Sequence, residues 1–572
     1  MSHQNVKHQR NKSDQLRPDY VELDSTRSWQ PVSHQDQGTT AYNPAESIRT
    51  TPSKTESDSK HEADAQLPLR KALKKYPKIA AYCLAMTIPV VGWGYDLVIV
   101  GGVTSVDSFA NDYGKEMNGK MEIPGNWLSL WMGLPPTGAA LGAFLGGWLQ
   151  NRIGRKFSLL VGTIVSIIAI ACIFFSHLPE PVNVKRIMLT AGLTIQGSSV
   201  GIIKLTCMTW VSENTPTALR GSAMALFPTF TLLGQLIGAV VLYLINSMGK
   251  NGYLGAFGSQ WILSLGPLIL SFLMPESPAH LVRTGQEARA LKSATRLFAP
   301  KVSPYTALEQ IRMTLEEERA STASATYATC LRGTNLRRTL IVLLAGLMPA
   351  FFGLELLSNV SIFLKTMGMQ SSLALMLMIV GIIAGMLGNA VGFWLLSRTG
   401  RRNMTIPSLG VTALLWGAMG VTGFWSSTTL TWVSAGIMIA VIVICGLGCW
   451  PASFAIIGET SSLQLRPLTQ GLGGVADKAA SITLAFLLPM LFSSDKAALG
   501  AKTAFVFCGT SLVGCFLSWL WIPEMKGRSA MEIDHMFEMR LPTRKFKGYK
   551  VVVHDVQETS PLAERRNAED SE

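Results

Sequence analysis

Charged residues are scarce in this sequence, and their scarcity restricts what kind of protein it encodes. Asp, Glu, Lys and Arg make up 15% of the chain, whereas hydrophobic residues make up 48% and the mean hydropathy is +0.29. Between residues 79 and 522, apolar stretches long enough to cross about 30 Å of hydrocarbon follow one another. The composition therefore predicts an all-α membrane protein that has the lipid bilayer as its surroundings.

Other absences argue against catalysis. The sequence has no nucleotide-binding loop, metal-ligand cluster or nucleophile triad, so we expect neither an enzyme nor a cofactor. Its eight cysteines lie mostly within apolar segments, with no metal-binding spacing and no disulfide framework. The first apolar run starts near residue 79, so no cleavable signal peptide is expected.

Twelve apolar stretches predict twelve transmembrane helices, six on each side of a polar central loop. The predicted organisation is a disordered cytoplasmic tail (1–75), an N-terminal six-helix half (76–274), a cytoplasmic linker with short amphipathic helices (275–338), a C-terminal six-helix half (339–522) and a cytoplasmic tail (523–572). The predicted spans are 79–103, 127–149, 157–176, 187–210, 222–245, 257–274, 339–363, 373–396, 404–424, 430–456, 469–492 and 504–522.

The two predicted halves repeat the same motifs at a fixed distance. Gly154-Arg155 returns 246 residues later as Gly400-Arg401, and Trp148 and Trp394 each stand six residues before the glycine. The pair Glu213 and Arg220 returns with the same offset as Glu459 and Arg466, and Pro275-Glu276 is echoed by Pro523-Glu524. Motifs that keep one offset across long apolar stretches indicate two similar halves of one membrane protein.

The basic residues predict the orientation of these halves. Lys and Arg cluster in the even-numbered loops, as in Arg152, Arg155 and Lys156 or Arg398, Arg401 and Arg402. The positive-inside rule then places both termini and the central loop in the cytoplasm. The net charge of +13 is mostly this topology signal, so no nucleic-acid partner is expected.

With these motifs, the chain resembles the sugar porter family of the major facilitator superfamily, especially its fungal maltose-permease-like branches. The resemblance covers about residues 79–546, and it implies the major facilitator fold, two pseudo-symmetric six-helix halves around a central cavity. The motifs that carry it are Gly94-Tyr95-Asp96, the 147–156 loop, Glu213 through Arg220-Gly221, Pro275-Glu276-Ser277-Pro278, the second-half copies, and Pro523-Glu524-Met525-Lys526-Gly527-Arg528.

The resemblance implies a gate of charged residues at cytoplasmic helix ends. Paired across the halves, such residues would hold the inward side shut and release it as the halves rock. The family's loop usually carries Asp where this chain has Asn151 and Ser397, which predicts a weaker or differently built latch. The alternative is that these residues fix only topology and helix ends. The predicted gate is Arg155, Glu213, Arg220, Glu276, Arg401, Glu459, Arg466 and Glu524.

An acid inside the first span predicts proton coupling. Asp96 matches the carboxylate that similar proton-coupled porters use to bind a proton, although a structural hydrogen-bonding role is the alternative. By the resemblance, the arginine that usually partners this acid falls at Leu193. Lys204, three turns further along the same helix, is then the nearest candidate partner.

The predicted cavity carries charges where the family has neutral amides. Ionisable residues within membrane spans are expensive, so each one is a functional candidate. A neutral sugar is best held by amides and aromatic faces, whereas these charges suit a charged or amphipathic solute at least as well. Lys204 or Lys478 can alternatively be structural. The predicted cavity residues are Gln235, Glu355, Ser358, Asn359, Phe454, Asp477, Lys478 and Lys204.

The sequence thus predicts a secondary active transporter, with proton-coupled uptake of a sugar or polyol by alternating access as the leading function. We expect a monomer in the plasma membrane whose partners are a small-molecule solute and protons. Two alternatives stay open at this point. One is a carrier or exporter of a charged or specialised metabolite, and the other is a nutrient receptor that does not transport.

Overall fold

The computed structural model describes residues 69–549 except 118, 250, 323–325, 426, 463–464 and 529. Of the predicted N-terminal tail, 1–68 therefore lies outside the described residues, and 69–75 is the helix Leu69–Lys75. Of the predicted C-terminal tail, 550–572 lies outside them as well.

Twelve helices in the described residues are long and apolar enough to cross a bilayer, which confirms the predicted all-α membrane fold. We number them as spans 1–12 in chain order. The first six are Pro77–Ser105, Gly125–Ile153, Arg155–Phe175, Val182–Asn214, Ala218–Asn246 and Gly252–Leu273. The second six are Gly333–Ser358, Ser371–Leu396, Arg401–Thr422, Thr428–Thr460, Arg466–Phe492 and Gly500–Trp521.

Short elements connect the spans. A helix at Asp107–Tyr113 and an antiparallel hairpin, Lys115–Met117 with Lys120–Glu122, lie between spans 1 and 2. The segment between spans 6 and 7 contains four helices among the described residues. The remaining connecting helices are Pro278–Arg283, Glu287–Phe298, Pro304–Thr322, Tyr327–Cys330, Val360–Thr366 and Ala530–Glu538.

Spans 7 and 10 are each interrupted along their length. Span 7 consists of Gly333–Phe351 and Leu354–Ser358, and Gly353, the residue just before the second part, has φ +84°, a conformation that favours glycine. Span 10 breaks at Gly448, between Thr428–Leu447 and Cys449–Thr460. Broken helices are tolerated in membranes where the freed backbone groups line a cavity or are buried in protein.

Spans 1 and 5 pack closely because each has a glycine at the contact. A Cβ added at Gly94 would lie 2.1 Å from the carbonyl oxygen of Thr231, and one added at Gly234 would lie 2.1 Å from that of Val91. Small residues allow such backbone approach between membrane helices. The close contact at Gly94, two residues before Asp96, thereby fixes the position of span 1 against span 5.

The two halves contact each other at one end of the bundle. We call the end that carries Gly154 and Gly400 the basic end, and the opposite end the far end. Every hydrogen bond or ion pair that joins two described residues across the halves lies at the far end. These bonds link Ser105 to Ser361, Asp107 to Lys365 and Ser371, Ser105 O to Lys365, Gly125 N to Asp495, Ser129 to Phe486 O, and Glu122 to Ser494.

Candidate functional site

Asp96 lies in span 1 and accepts hydrogen bonds from two amides of the same half. Gln196 Nε2 in span 4 is 2.8 Å from Oδ2, and Gln260 Nε2 in span 6 is 3.1 Å from Oδ1. Leu193, where the family's arginine would stand, is buried in an apolar cluster. The carboxylate is therefore held by two neutral donors on two different helices.

Serines extend this polar group into the N-terminal half. Ser166 Oγ donates to Gln196 Oε1 at 3.1 Å, and Ser264 Oγ donates to the carbonyl of Gln260 at 3.1 Å. Gln260 Oε1 is buried and has no hydrogen-bond partner among the described residues. A cavity of about 20 Å³, lined in part by Asp96, Gln260 and Ser264, lies beside it and is large enough for about one water molecule.

Lys204 does not partner Asp96, which corrects the expectation from the sequence. Its Nζ lies 3.8 Å from the centroid of the Trp93 ring, a cation–π contact. The side chain makes no hydrogen bond or ion pair with any other described residue. The expectation missed Gln196 and Gln260, although an amide within an apolar span was a signal that could have found them.

The ionisable residues predicted to line the cavity in the C-terminal half form their hydrogen bonds and ion pair with neighbours in that half. Ser481 donates a hydrogen bond to Glu355 Oε1, and Asn359 Nδ2 donates to the Glu355 carbonyl at 2.9 Å. Lys478 Nζ is 2.9 Å from Asp477 Oδ2, although the two residues are adjacent on one helix. These side chains are accessible, since Lys478 is 51% exposed and Asp477 32%.

The structure brings some of the predicted cavity residues together. Lys204 of the N-terminal half interacts electrostatically with Asp477 and Lys478 of the C-terminal half, and Glu355 interacts with the same pair. Ser358 and Phe454 are exposed, Asn359 and Gln235 are partly buried, and the structure records no contact of Phe454 or Gln235 with this charged group.

The first loop motif forms a compact cluster at the basic end. Arg155 Nη2 lies 2.5 Å from Glu213 Oε1, and the backbone N–H groups of Arg155 and Lys156 donate to the Glu276 carboxylate at 2.7 and 3.0 Å. His280 Nδ1 is 2.7 Å from Arg155 Nη1. Burial and the nearby Arg155 charge lower the pKa of His280, so this imidazole stays neutral at neutral pH.

The second loop motif repeats this geometry in the other half. Arg401 pairs with Glu459, and the backbone N–H groups of Arg401 and Arg402 donate to the Glu524 carboxylate at 3.1 and 3.2 Å. The 246-residue repeat of the sequence is thus a repeat of structure. Each carboxylate pairs within its own half in this conformation, rather than across the halves.

The other two arginines of the predicted gate are not engaged. The Arg220 side chain is exposed, and it makes no hydrogen bond or ion pair with another described residue. Arg466 likewise has no such partner among the residues that the structure describes, and its Nε is buried without a hydrogen bond. Among the described residues, hydrogen bonds and ion pairs thus join the two halves at the far end, and the Arg220 and Arg466 side chains add none at the basic end.

This architecture defines a membrane transporter built of two halves that face a central cavity. The sequence matches the family described as "Sugar (and other) transporter" over residues 82–537. The chain therefore belongs to this family, and it is a transporter and not an enzyme.

Curated relatives cover most of the chain. An MFS transporter of Aspergillus fumigatus, fmqE, is 29% identical over 469 residues, which are 81% of this chain and 86% of the relative. Maltose permease MAL61 of Saccharomyces cerevisiae is 27% identical over 503 residues, 86% of this chain and 80% of the permease. The alignments span both halves in each case.

Solved structures share the fold. The inward open conformation of the xylose transporter XylE from E. coli superimposes with a TM-score of 0.64 at 18% identity, covering 80% of this chain and 99% of that one. Its partially occluded inward open conformation gives a TM-score of 0.63 at 17% identity, covering 79% of this chain and 100% of that one. The predicted major facilitator fold is confirmed.

Proposed function

We propose that this protein imports a sugar or polyol together with a proton by alternating access. The observation that carries the proposal is Asp96, a carboxylate inside span 1 that accepts hydrogen bonds from two amides and, among the described residues, from no cation. Such a group can exchange a proton as the cavity changes sides, because no fixed positive charge holds it ionised. Maltose permeases and a proton:xylose symporter among the similar proteins support the solute class.

The orientation completes the proposal. We take the basic end as cytoplasmic because it carries Arg155, Lys156, Arg401 and Arg402. The far-end closure then makes this conformation inward-facing, with the solute cavity open to the cytoplasm. The plasma membrane is the proposed location, both termini are cytoplasmic, and the transporter acts as a monomer.

The gate is proposed to work in the opposite conformation. When the basic end closes, Arg220 and Arg466 approach the other half, and their guanidinium groups, which have no partner among the described residues, would then bind carboxylates or carbonyls there. The clusters around Glu213 and Glu459 keep each half rigid through this movement, because each already pairs internally.

Asp96→Asn tests the coupling. The amide cannot exchange a proton, so we expect loss of pH-driven sugar accumulation while exchange of sugar down its own gradient continues. Uptake and counterflow of labelled sugars are measured in transporter-deficient cells at acidic and neutral pH. Glu116→Gln, which removes an exposed carboxylate from the hairpin, is the matched control and should behave as wild type. Intact accumulation by Asp96→Asn would remove Asp96 from the mechanism.

A further inference from the structure

The short helix before span 1, Leu69–Lys75, carries a group of positive charges without a negative one. Residues 70–78 include five basic side chains, and the sequence has no acidic residue between 65 and 95. Span 1 ends with Ser105 at the far end, so the helix that precedes its start lies at the basic end. We call the five basic residues the basic segment: Arg70, Lys71, Lys74, Lys75 and Lys78.

The helix is packed against the protein on one side. Ala72 is fully buried and Tyr76 is 7% exposed. The Tyr76 ring meets the Phe298 ring edge-on, with the ring centroids 6.3 Å apart. Lys301 Nζ donates a hydrogen bond to the carbonyl of Lys74 at 2.7 Å, which brings a further cation beside the basic segment. The basic side chains therefore project from a helix whose position is set by packing.

The other side of the helix presents its cations outward. At about 100° per residue, Arg70 and Lys74 lie on the face opposite Ala72, and Lys71 lies to one side of that face. All members of the basic segment except Lys75 are exposed, and these four side chains make no hydrogen bond or ion pair with another described residue. Like charges so close together repel one another, so the segment favours an anionic partner from outside the protein.

The distance to the apolar surface of span 1 places these cations near the lipid headgroups. The first exposed large apolar side chains of span 1 are Leu84 and Ile88, which are 56% and 47% exposed. Leu84 follows Lys78 by six residues of one helix, which is about 9 Å at the rise of an α-helix. The headgroup region of one leaflet extends about 5 to 7 Å beyond the hydrocarbon. The basic segment therefore lies at the membrane surface, within reach of the headgroups.

We propose that the basic segment binds anionic phospholipid headgroups in the leaflet at the basic end. A cluster of about four or more Lys or Arg residues beside a membrane helix attracts such lipids through the negative potential of the leaflet surface. Leu73, which is 43% exposed among the cations, suits insertion between the headgroups and the acyl chains. The contact holds the start of the N-terminal half at the membrane surface, and it does not depend on which solute is transported.

Fluorescence quenching by spin-labelled lipids tests this proposal on the full-length protein in nanodiscs. A fluorophore is attached at Leu73→Cys after the native cysteines are replaced. The nanodiscs contain spin-labelled phosphatidylserine or spin-labelled phosphatidylcholine at the same mole fraction. We expect the anionic lipid to associate with this site about fivefold more strongly, the value for one lysine near an anionic surface. Raising the salt from about 0.05 M to about 0.5 M should reduce the preference, because the charges are exposed.

A double variant and a matched control assign the preference to the basic segment. Lys71→Gln combined with Lys74→Gln should lower the preference from about fivefold to about twofold, since fewer cations remain. Lys115→Gln combined with Lys496→Gln removes two exposed lysines at the far end and gives the same net charge, so it should leave the preference unchanged. If the test variant does not fold, the lipid comparison and the salt dependence on the intact segment still decide.

Two results would overturn the proposal. One is equal quenching by the two lipids in the protein with an intact basic segment. The other is a preference for phosphatidylserine that persists in the Lys71 and Lys74 double variant and at high salt, because the lipid would then be held by something other than these charges.

Discussion

The far-end contact between the halves predicts how the conformational equilibrium can be shifted. Lys365 Nζ lies 2.8 Å from Asp107 Oδ1 and 2.8 Å from the carbonyl of Ser105, and Ser371 donates to Asp107 Oδ1 at 2.8 Å. Lys365 is 21% exposed and Asp107 70% exposed. Replacing Lys365 by Met removes both charge-assisted bonds from the conformation closed at the far end, and keeps the apolar stem.

The expected magnitude follows from this exposure. The ion pair alone contributes about 0.5 kcal/mol, because Asp107 is largely solvated. The bond to the Ser105 carbonyl, made from a mostly buried ammonium, adds about 1 kcal/mol. Their sum predicts a shift of about tenfold toward the conformation open at the far end.

Electron spin resonance measures this shift directly. Spin labels at Glu116 and Ala497, exposed residues of opposite halves near the far end, report two distances whose populations give the equilibrium constant. The native cysteines are replaced for this purpose. Lys496→Met is the control, since this exposed lysine has no hydrogen bond or ion pair from its side chain among the described residues. Unchanged populations in Lys365→Met would refute the assignment of this contact as a latch.

Three further predictions concern the two ends of the bundle. Burial opposes ionisation of Asp107, but the hydrogen bonds from Lys365 and Ser371 and the Lys365 charge outweigh it and lower the pKa. The contact of Asp107 with Lys365 therefore stabilises the far end fully above the ordinary Asp pKa of about 3.9, and it weakens only as the pH falls through the lowered pKa of Asp107. The spin-label populations should not change between about pH 5 and pH 7.5. A change in that range would contradict the assignment of this contact as a latch. Glu213→Gln removes the carboxylate that pairs with the buried Arg155 and should destabilise the protein by about 3 kcal/mol, measured as a lower melting temperature. The control Glu287→Gln removes a carboxylate from a solvated ion pair and should have almost no effect. Equal melting temperatures of the Glu213→Gln and Glu287→Gln variants would argue against a structural role of Glu213. Arg220→Gln should leave the melting temperature unchanged and slow transport, because the Arg220 side chain makes no hydrogen bond or ion pair with another described residue and is proposed to bind the other half when the basic end closes. Wild-type transport rates would remove Arg220 from the gate.

The transmembrane architecture could be predicted from the sequence because its causes are local. A span needs enough consecutive apolar residues to cross the hydrocarbon, and that is a property of the chain itself. The repeated loop motifs indicated the two-fold relationship in the same way, but the expected pairing of their charges across the halves is not what the structure shows, since Arg155 pairs with Glu213 and Arg401 with Glu459 within single halves.

The partners of the ionisable residues could not be predicted so reliably. Counting along span 4 pointed to Lys204 as the partner of Asp96, yet Gln196, one turn from Leu193, and Gln260 of span 6 hold the carboxylate. Helix rotation and tilt decide which side chain reaches a given point, and these depend on packing such as the close approach at Gly94.

The sequence by itself determined twelve spans, two homologous halves and the residues that carry charge into the membrane, because hydropathy and repetition are written along the chain. Only the tertiary structure decided that Lys204 lies against Trp93, that the loop carboxylates pair within their own halves, and that the halves meet at the far end. These features depend on contacts between helices distant in sequence, which no local pattern along the chain encodes.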